Sequence, residues 1–185
     1  MLAELIFFVV SDGDVSTDVL EAERFEGVPV KHRQKIMREL NVIQALVDLL
    51  YYPFIENETG EERRLESISP QDPYTKICIL CYRLIKHIVK DYRLNELFAS
   101  QWIDLFLQQA MSTKQENNIR AEATIAELVS NNRVLLEKQI KKKTIEDFVD
   151  LCVEQQKHER FIILLTALCS CQGEAVITNQ DHIIF

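Results

Sequence analysis

KHRQKIMRELNVIQALVDLLYYPF, residues Lys31 to Phe54, joins the densest basic cluster of the chain to its strongest helix pattern. Placed on one helix at about 100° per residue, Lys31, Lys35 and Arg38 fall within about 60° of one another, a cationic stripe about 10 Å long. Ile36, Leu40, Ile43, Val47 and Leu50 follow on the other side at spacings of three and four, the apolar face of a helix that packs on a core. The stretch is therefore expected to be one helix that both packs and binds. Lys31, Arg33, Lys35 and Arg38 bring positive charges with no acid between them, whereas a solvated face ordinarily intersperses signs. Cations without partners repel one another unless an anion joins them, so the stripe points to a polyanionic ligand.

Outward from this stretch, the chain reads as helices separated by polar breaks. Leu2 to Val10 is a short apolar helix, closed by a turn at Ser11-Asp12-Gly13-Asp14. Asp18 to Phe25 forms a second, ended by Gly27 and Pro29. After Pro53, residues 56–72 carry mixed charges with no sustained periodicity and read as an exposed loop. Pro73 restarts a helix with apolar positions Ile77, Leu80, Cys81, Leu84, Ile85 and Ile88. Lys90-Asp91-Tyr92-Arg93 is a polar corner before a helix through Leu97, Phe98, Trp102, Ile103, Phe106 and Leu107.

Ser112 to Asn118 is a further break, followed by helices at Ala121 to Val129 and Val134 to Ile140. Thr144 with Asp147 three residues on suggests a capping box before Phe148, Leu151 and Cys152. Glu159 to Cys171 is the last buried helix, Ala175 to Thr178 is a candidate extended stretch, and the final residues are expected to be only partly ordered. No period-two alternation is long enough for a sheet. The fold class is all-α, an armadillo-like helical stack of α-solenoid type in which each pair of helices buries its faces against the next.

Composition narrows the function. A chain of 185 residues that is 47% hydrophobic suits one core or one run of stacked helices. The net charge of -8 argues against general nucleic-acid binding, which needs a broad basic field, so any anion site is local. The longest apolar run, Leu5 to Val10, is far short of the roughly 20 residues that cross a bilayer, and no positive n-region marks a secretory signal. Five cysteines, an odd count without an export signal, fit reduced thiols facing the cytosol.

Cys78-x-x-Cys81 resembles half a zinc or redox site, but Cys169-x-Cys171 has the wrong spacing for the other half, and both pairs lie on apolar faces where cysteine behaves as a small hydrophobe. No metal is expected. His32, His87, His158 and His182 are scattered without a matched carboxylate and nucleophile, and four dispersed glycines build no phosphate loop, so no catalytic residue and no cofactor are assigned. The second basic run, Lys138 to Lys143, lacks aromatic or hydroxyl company and reads as a solvated face.

Arg33 to Phe54 closely resembles the segment of inositol trisphosphate receptors that opens the helical half of their ligand-binding core. LAELIFFVVSDGDVSTDVLE, ICILCYRLIKHIVKDYRLN and AEATIAELVSNNRVLLEKQIKKKTIEDFVDL resemble consecutive stretches of the same domain in the same order. That domain, the RIH domain, is shared with ryanodine receptors, and LCSCQGEAVITNQDHI is similar to the ryanodine receptor version. Residues 1–185 thus read as a single RIH-type helical domain of a divergent member, incomplete at both ends relative to the family.

The resemblance implies an inositol trisphosphate site whose basic residues come from the first helix and from a later Tyr-Arg-Lys junction. Lys35 and Arg38 match the first-helix positions, and Lys31 stands where the family usually has arginine. Tyr92 and Arg93 match the junction, and Leu94 takes the place of the family's lysine. Lysine at 31 keeps charge but loses the bidentate fork, and Leu94 removes a cation. Lys31, Lys35, Arg38, Tyr92 and Arg93 are accordingly expected on one exposed concave face, not paired off by Glu or Asp.

The family further implies an upstream β-trefoil, other receptor domains, a homotetramer for a full-length receptor, and a place on the cytosolic face of the endoplasmic reticulum. The function expected is a ligand-sensing and coupling module of a calcium-release channel, not an enzyme. The alternative is a stand-alone cytoplasmic scaffold for protein partners that binds no ligand.

Overall fold

A computed structural model describes residues 1–10, 18–51, 71–112, 118–138, 140–154 and 159–184. The expected turn at 11–14, residues 56–70 of the expected loop, most of the break at 112–118, and His158 lie outside these residues. The first elements are α1 (Leu2–Val10), α2 (Val19–Arg24), α3 (Lys31–Glu39), α4 (Val42–Tyr51), α5 (Pro73–Val89) and α6 (Arg93–Ala99). A 3-10 turn at Ser100–Trp102 leads to α7 (Ile103–Ser112), α8 (Ala121–Ser130), α9 (Arg133–Lys138), α10 (Lys142–Glu154) and α11 (Glu159–Cys169). A two-residue hairpin, β1 (Ser170–Cys171) and β2 (Glu174–Ala175), precedes α12 (Ile177–Ile184).

The architecture is organised by α5. Asp72 caps it by accepting from the Tyr74 amide at 2.8 Å, and Pro73 occupies the first turn, where its missing N–H costs nothing. From Leu80 to Ile85 every residue is buried, so this helix is covered all round, not along one stripe. α1, α4 and α8 all pack on it. Layers then continue outward: α11 and α7 lie on α8, α10 on α11, and α12 on α10. This layering is an all-α helical stack, compatible with the armadillo-like arrangement.

One polar thread crosses four helices of this core. Tyr82 on α5 donates its hydroxyl to Gln109 Oε1 on α7, and Gln109 Nε2 donates to the Leu50 carbonyl on α4 at 2.8 Å. Thr124 on α8 donates to the Tyr82 carbonyl at 2.9 Å. The Tyr82 ring meets Phe106 edge-on, with centroids 5.6 Å apart, so its apolar body and polar tip are both used.

The structure differs from the sequence reading at several joints. The single helix expected over Lys31 to Phe54 is two, because Asn41 takes a left-handed φ of 54° and redirects the chain between α3 and α4. Leu40, expected on the apolar face, caps α3 and is 70% exposed; Gln34 and Met37 face the interior instead. Thr144 is not a cap, since α10 starts at Lys142, and Asp147 accepts from Lys143 at 3.0 Å. The helix through Leu97 to Leu107 is interrupted by the 3-10 turn.

α11 stops at Cys169, two residues earlier than expected, and the hairpin follows through Gln172 and Gly173, with φ of 54° and 81°. Two successive left-handed residues match the twist of a tight hairpin. Beyond it the chain is helical: Asn179 is buried and donates to the Leu168 carbonyl at 2.9 Å, and Gln180 donates to Cys169 at 3.1 Å. The side chains of α12 thereby satisfy the last carbonyls of α11. Of the stretch at 175 to 178 only Ala175 is extended, as the end of β2, and α12 begins at Ile177.

Replacing Tyr82 by phenylalanine keeps the ring but leaves the buried Gln109 oxygen without its donor. Urea unfolding of Tyr82→Phe is expected to show a loss of about 1–3 kcal/mol, and a loss within error of zero would mean the thread contributes nothing.

Candidate functional site

The basic helix α3 is set against the corner between α5 and α6 by two buried amides. Gln34, with 0% exposure, donates Nε2 to the His87 carbonyl at 2.8 Å and the Lys90 carbonyl at 2.9 Å. These are carbonyls at the C-terminal end of α5, which have no partner within the helix. Asn95, equally buried, donates Nδ2 to the Gln34 carbonyl at 3.0 Å and to Ile88 at 2.8 Å. Its Oδ1 accepts from Arg38 Nη1 at 3.0 Å. Segments some sixty residues apart in sequence are thus brought into register.

Around this joint the expected site residues take their places. Lys31 Nζ donates to the Asp91 carbonyl and lies 5.5 Å from the Tyr92 ring centroid. The Arg38 guanidinium lies 5.7 Å from the same centroid. Lys31, Arg38 and Tyr92 therefore form one group, with the phenol ring sharing the two cations. Arg93 opens α6 immediately after Tyr92, and Lys35 lies on α3 between the other two cations. Leu94 is 57% exposed, so the absent cation of the family pattern would have faced outward.

Two of the five residues do not carry free charge. Lys35 pairs with Glu39 at 3.5 Å, both about half exposed. Arg93 pairs with Glu96 at 3.4 Å, and that carboxylate is only 4% exposed. The expectation of a cluster not paired off by carboxylates is corrected at these positions. The cause is spacing: Glu39 falls one helical turn after Lys35, and Glu96 three residues after Arg93. Burial holds the Glu96 carboxyl above the ordinary carboxylate range although Arg93 pulls it down.

Arg33, the fourth cation of the run, faces α1. Its Nη1 donates to the Phe8 carbonyl at 2.9 Å and its guanidinium lies 5.1 Å from the Phe8 ring centroid. Lys142 and Lys143 in the second basic run pair with Glu146 at 3.3 Å and Asp147 at 3.0 Å, an ordinary solvated helix face. The Asp91 corner, with φ of 54°, also reaches the next layer, where its Oδ1 accepts from Asn131 Nδ2 at 3.1 Å.

Gln34, Asn95 and Glu96 are the residues at this joint that sequence reading passed over. Gln34 sits among four cations and reads as one more solvated position; Asn95 and Glu96 read as ordinary polar residues of a first turn. Among the described residues no group of three or more His, Cys, Asp or Glu could hold a metal ion, and no helix is long and apolar enough to cross a membrane.

Comparison with known proteins bears on the whole chain. A family model described as the RIH domain matches residues 1–185. The inositol 1,4,5-trisphosphate receptor itr-1 of Caenorhabditis elegans is 30% identical over 190 residues, covering 99% of this chain and 6% of that protein. The inositol 1,4,5-trisphosphate receptor-like protein A of Dictyostelium discoideum is 25% identical over 158 residues, covering 85% of this chain and 4% of that protein. The chain therefore spans a small part of the length of these curated relatives.

The thiols of Cys78 and Cys81 are 1% and 0% exposed, and burial pushes both up to about 12. Maleimide labelling of the folded chain at pH 7.5 is expected to be slower at these positions than at the half-buried Cys169; equal rates at all three would contradict their burial.

His87 lies beneath the joint with 0% exposure, and burial, then the Arg83 charge, bring its pKa down to about 4. The unfolded chain takes up this proton near pH 6.5 and the folded chain only near 4, so the unfolded state holds more protons between these values. Stability should fall as pH drops through that window and level off below it. His87→Gln should flatten this part of the urea-midpoint profile, and an unaltered slope would assign the effect to another group.

Proposed function

The chain belongs to the RIH domain family, and on that premise we propose that it is the helical ligand-sensing and coupling module of an inositol trisphosphate receptor-like calcium-release channel. In this reading it supplies the basic half of an inositol phosphate site through Lys31, Lys35, Arg38, Tyr92 and Arg93. An upstream β-trefoil supplies the other half, the assembled receptor is a homotetramer, and the module faces the cytosol at the endoplasmic reticulum membrane. Its role is binding and transmission, not catalysis.

The observation that supports this most is the meeting of Lys31 and Arg38 with Tyr92 across the α3 joint. Nothing in chain order demands it, since the partners are some sixty residues apart. Phosphate groups suit the donors assembled: the Arg38 guanidinium offers a planar fork, the Lys31 ammonium a compact point charge and the Tyr92 phenol a directional donor. Exposed Leu94 and the carboxylates at Lys35 and Arg93 favour weaker binding than a site with all its cations free. They are also what favours the second reading, a helical scaffold for protein partners that binds no inositol phosphate.

The two readings separate in a calorimetric titration with inositol 1,4,5-trisphosphate of the receptor-like protein that carries this chain joined to its upstream region. Arg38→Gln is expected to weaken binding about tenfold to a hundredfold, the worth of one charge-assisted hydrogen bond. Arg93→Gln should cost less, because Glu96 already engages that side chain, and Lys142→Gln should cost nothing. Equal losses from all three would mean diffuse charge alone, and no binding by the unaltered longer protein would leave the scaffold.

A further inference from the structure

The internal acceptors of the basic cluster are of two kinds. Lys31 is held by a backbone carbonyl, that of Asp91, and Arg38 by the amide oxygen of Asn95. A neutral acceptor orients a cation without cancelling it, so most of the field of both residues is left for an incoming anion, although Glu96 also acts on Lys31. Arg93 lies 3.4 Å from the carboxylate of Glu96, which offsets part of its charge and repels a phosphate placed beside it. Lys35 lies beside a carboxylate too, but Glu39 is 55% exposed and its charge is screened by water. Glu96, at 4%, acts where screening is weak.

We propose that Glu96 is a positioning residue that sets the anion affinity of this cluster, its buried carboxylate competing with a phosphate group of the ligand for Arg93. The inference rests on the reading of the cluster as an inositol phosphate site. The Arg93 side chain is 47% exposed, so its outward N–H groups face solvent while Nη1 turns to Glu96. A phosphate that took Arg93 entirely would leave a buried carboxylate without its cation, a costly arrangement. Glu96 therefore keeps Arg93 on the protein until a ligand offers more than Glu96 does, and ligands with a single phosphate are held least. Burial already disfavours the charged form of this carboxyl, which makes its dependence on Arg93 the stronger.

The test is Glu96→Gln, which keeps an oxygen for Arg93 and removes the charge. Titrated with inositol 1,4,5-trisphosphate in the same longer protein, this variant is expected to bind about tenfold tighter than the unaltered one, as one well-placed charge-assisted contact is gained. Glu39→Gln removes the same charge from an exposed position and should change affinity about twofold or less. Adding Arg93→Gln to Glu96→Gln should abolish most of the gain, a dependence that a merely structural role of Glu96 would not produce.

If the unaltered protein binds through Arg38 but Glu96→Gln binds no tighter, or if Glu96→Gln and Glu39→Gln gain equally, the role of Glu96 is overturned and the site stands. If neither the unaltered protein nor Glu96→Gln binds, the site and the role of Glu96 fail together. Should thermal melting show Glu96→Gln unfolded, Arg93→Gln alone decides: a loss as large as that of Arg38→Gln overturns the competition, and a smaller one supports it.

Discussion

Where α3 crosses the end of α5, Gln34 donates to the His87 and Lys90 carbonyls and Asn95 donates to the Gln34 and Ile88 carbonyls, and the arrangement of the candidate site depends on these bonds. Each amide bond adds only about 1 kcal/mol net, but the His87, Ile88 and Gln34 carbonyls they cover are buried and would otherwise lack these donors, at a cost of about 1–3 kcal/mol each. The joint is therefore directional in a way that apolar packing is not. Methyl groups could slide past one another by a fraction of a turn. Two amides reading backbone carbonyls fix α3 in both rotation and height, and with it the direction of the cationic stripe.

That fixing works because α5 is itself immobilised. A helix covered on every side cannot tilt without opening voids, and interiors at native packing density do not accommodate them cheaply. The Tyr82 thread adds hydrogen-bonded cross-ties to α4, α7 and α8. The end of α5 is thus a rigid reference, and the corner that follows it carries Asp91, Tyr92 and Arg93 at defined positions. Stack and site are one construction: the core fixes the helix, the helix end presents carbonyls, and the amides read them.

Much of this was legible in the chain. Periodic apolar positions at Leu80, Leu84, Ile85 and Ile88 mark the central helix, and the stretches around Lys31 and Tyr92 carry the parts of the cluster. The joints were not legible, for a physical reason. A left-handed residue such as Asn41 or Gln172 is chosen by the packing on either side of it, and the local sequence carries only permission, not instruction. Gln34 is the same case in the side chain: a polar residue is buried only when a distant helix end supplies carbonyls for it. Glu96 and Glu39 look alike in sequence, each an acid one turn from a cation, and only burial separates them.

The corner at Asp91 answers two demands at once, and they restrict which residues can stand there. Its left-handed backbone excludes valine, isoleucine and threonine, whose branched Cβ crowds the chain at positive φ. Its side-chain oxygen must also meet the Asn131 amide from the next layer. Glycine satisfies the backbone and forfeits the bond; asparagine satisfies both, with its amide oxygen taking the place of the carboxylate. Aspartate and asparagine therefore meet both demands, whereas glycine or another unbranched residue meets only the backbone one, although the position is exposed.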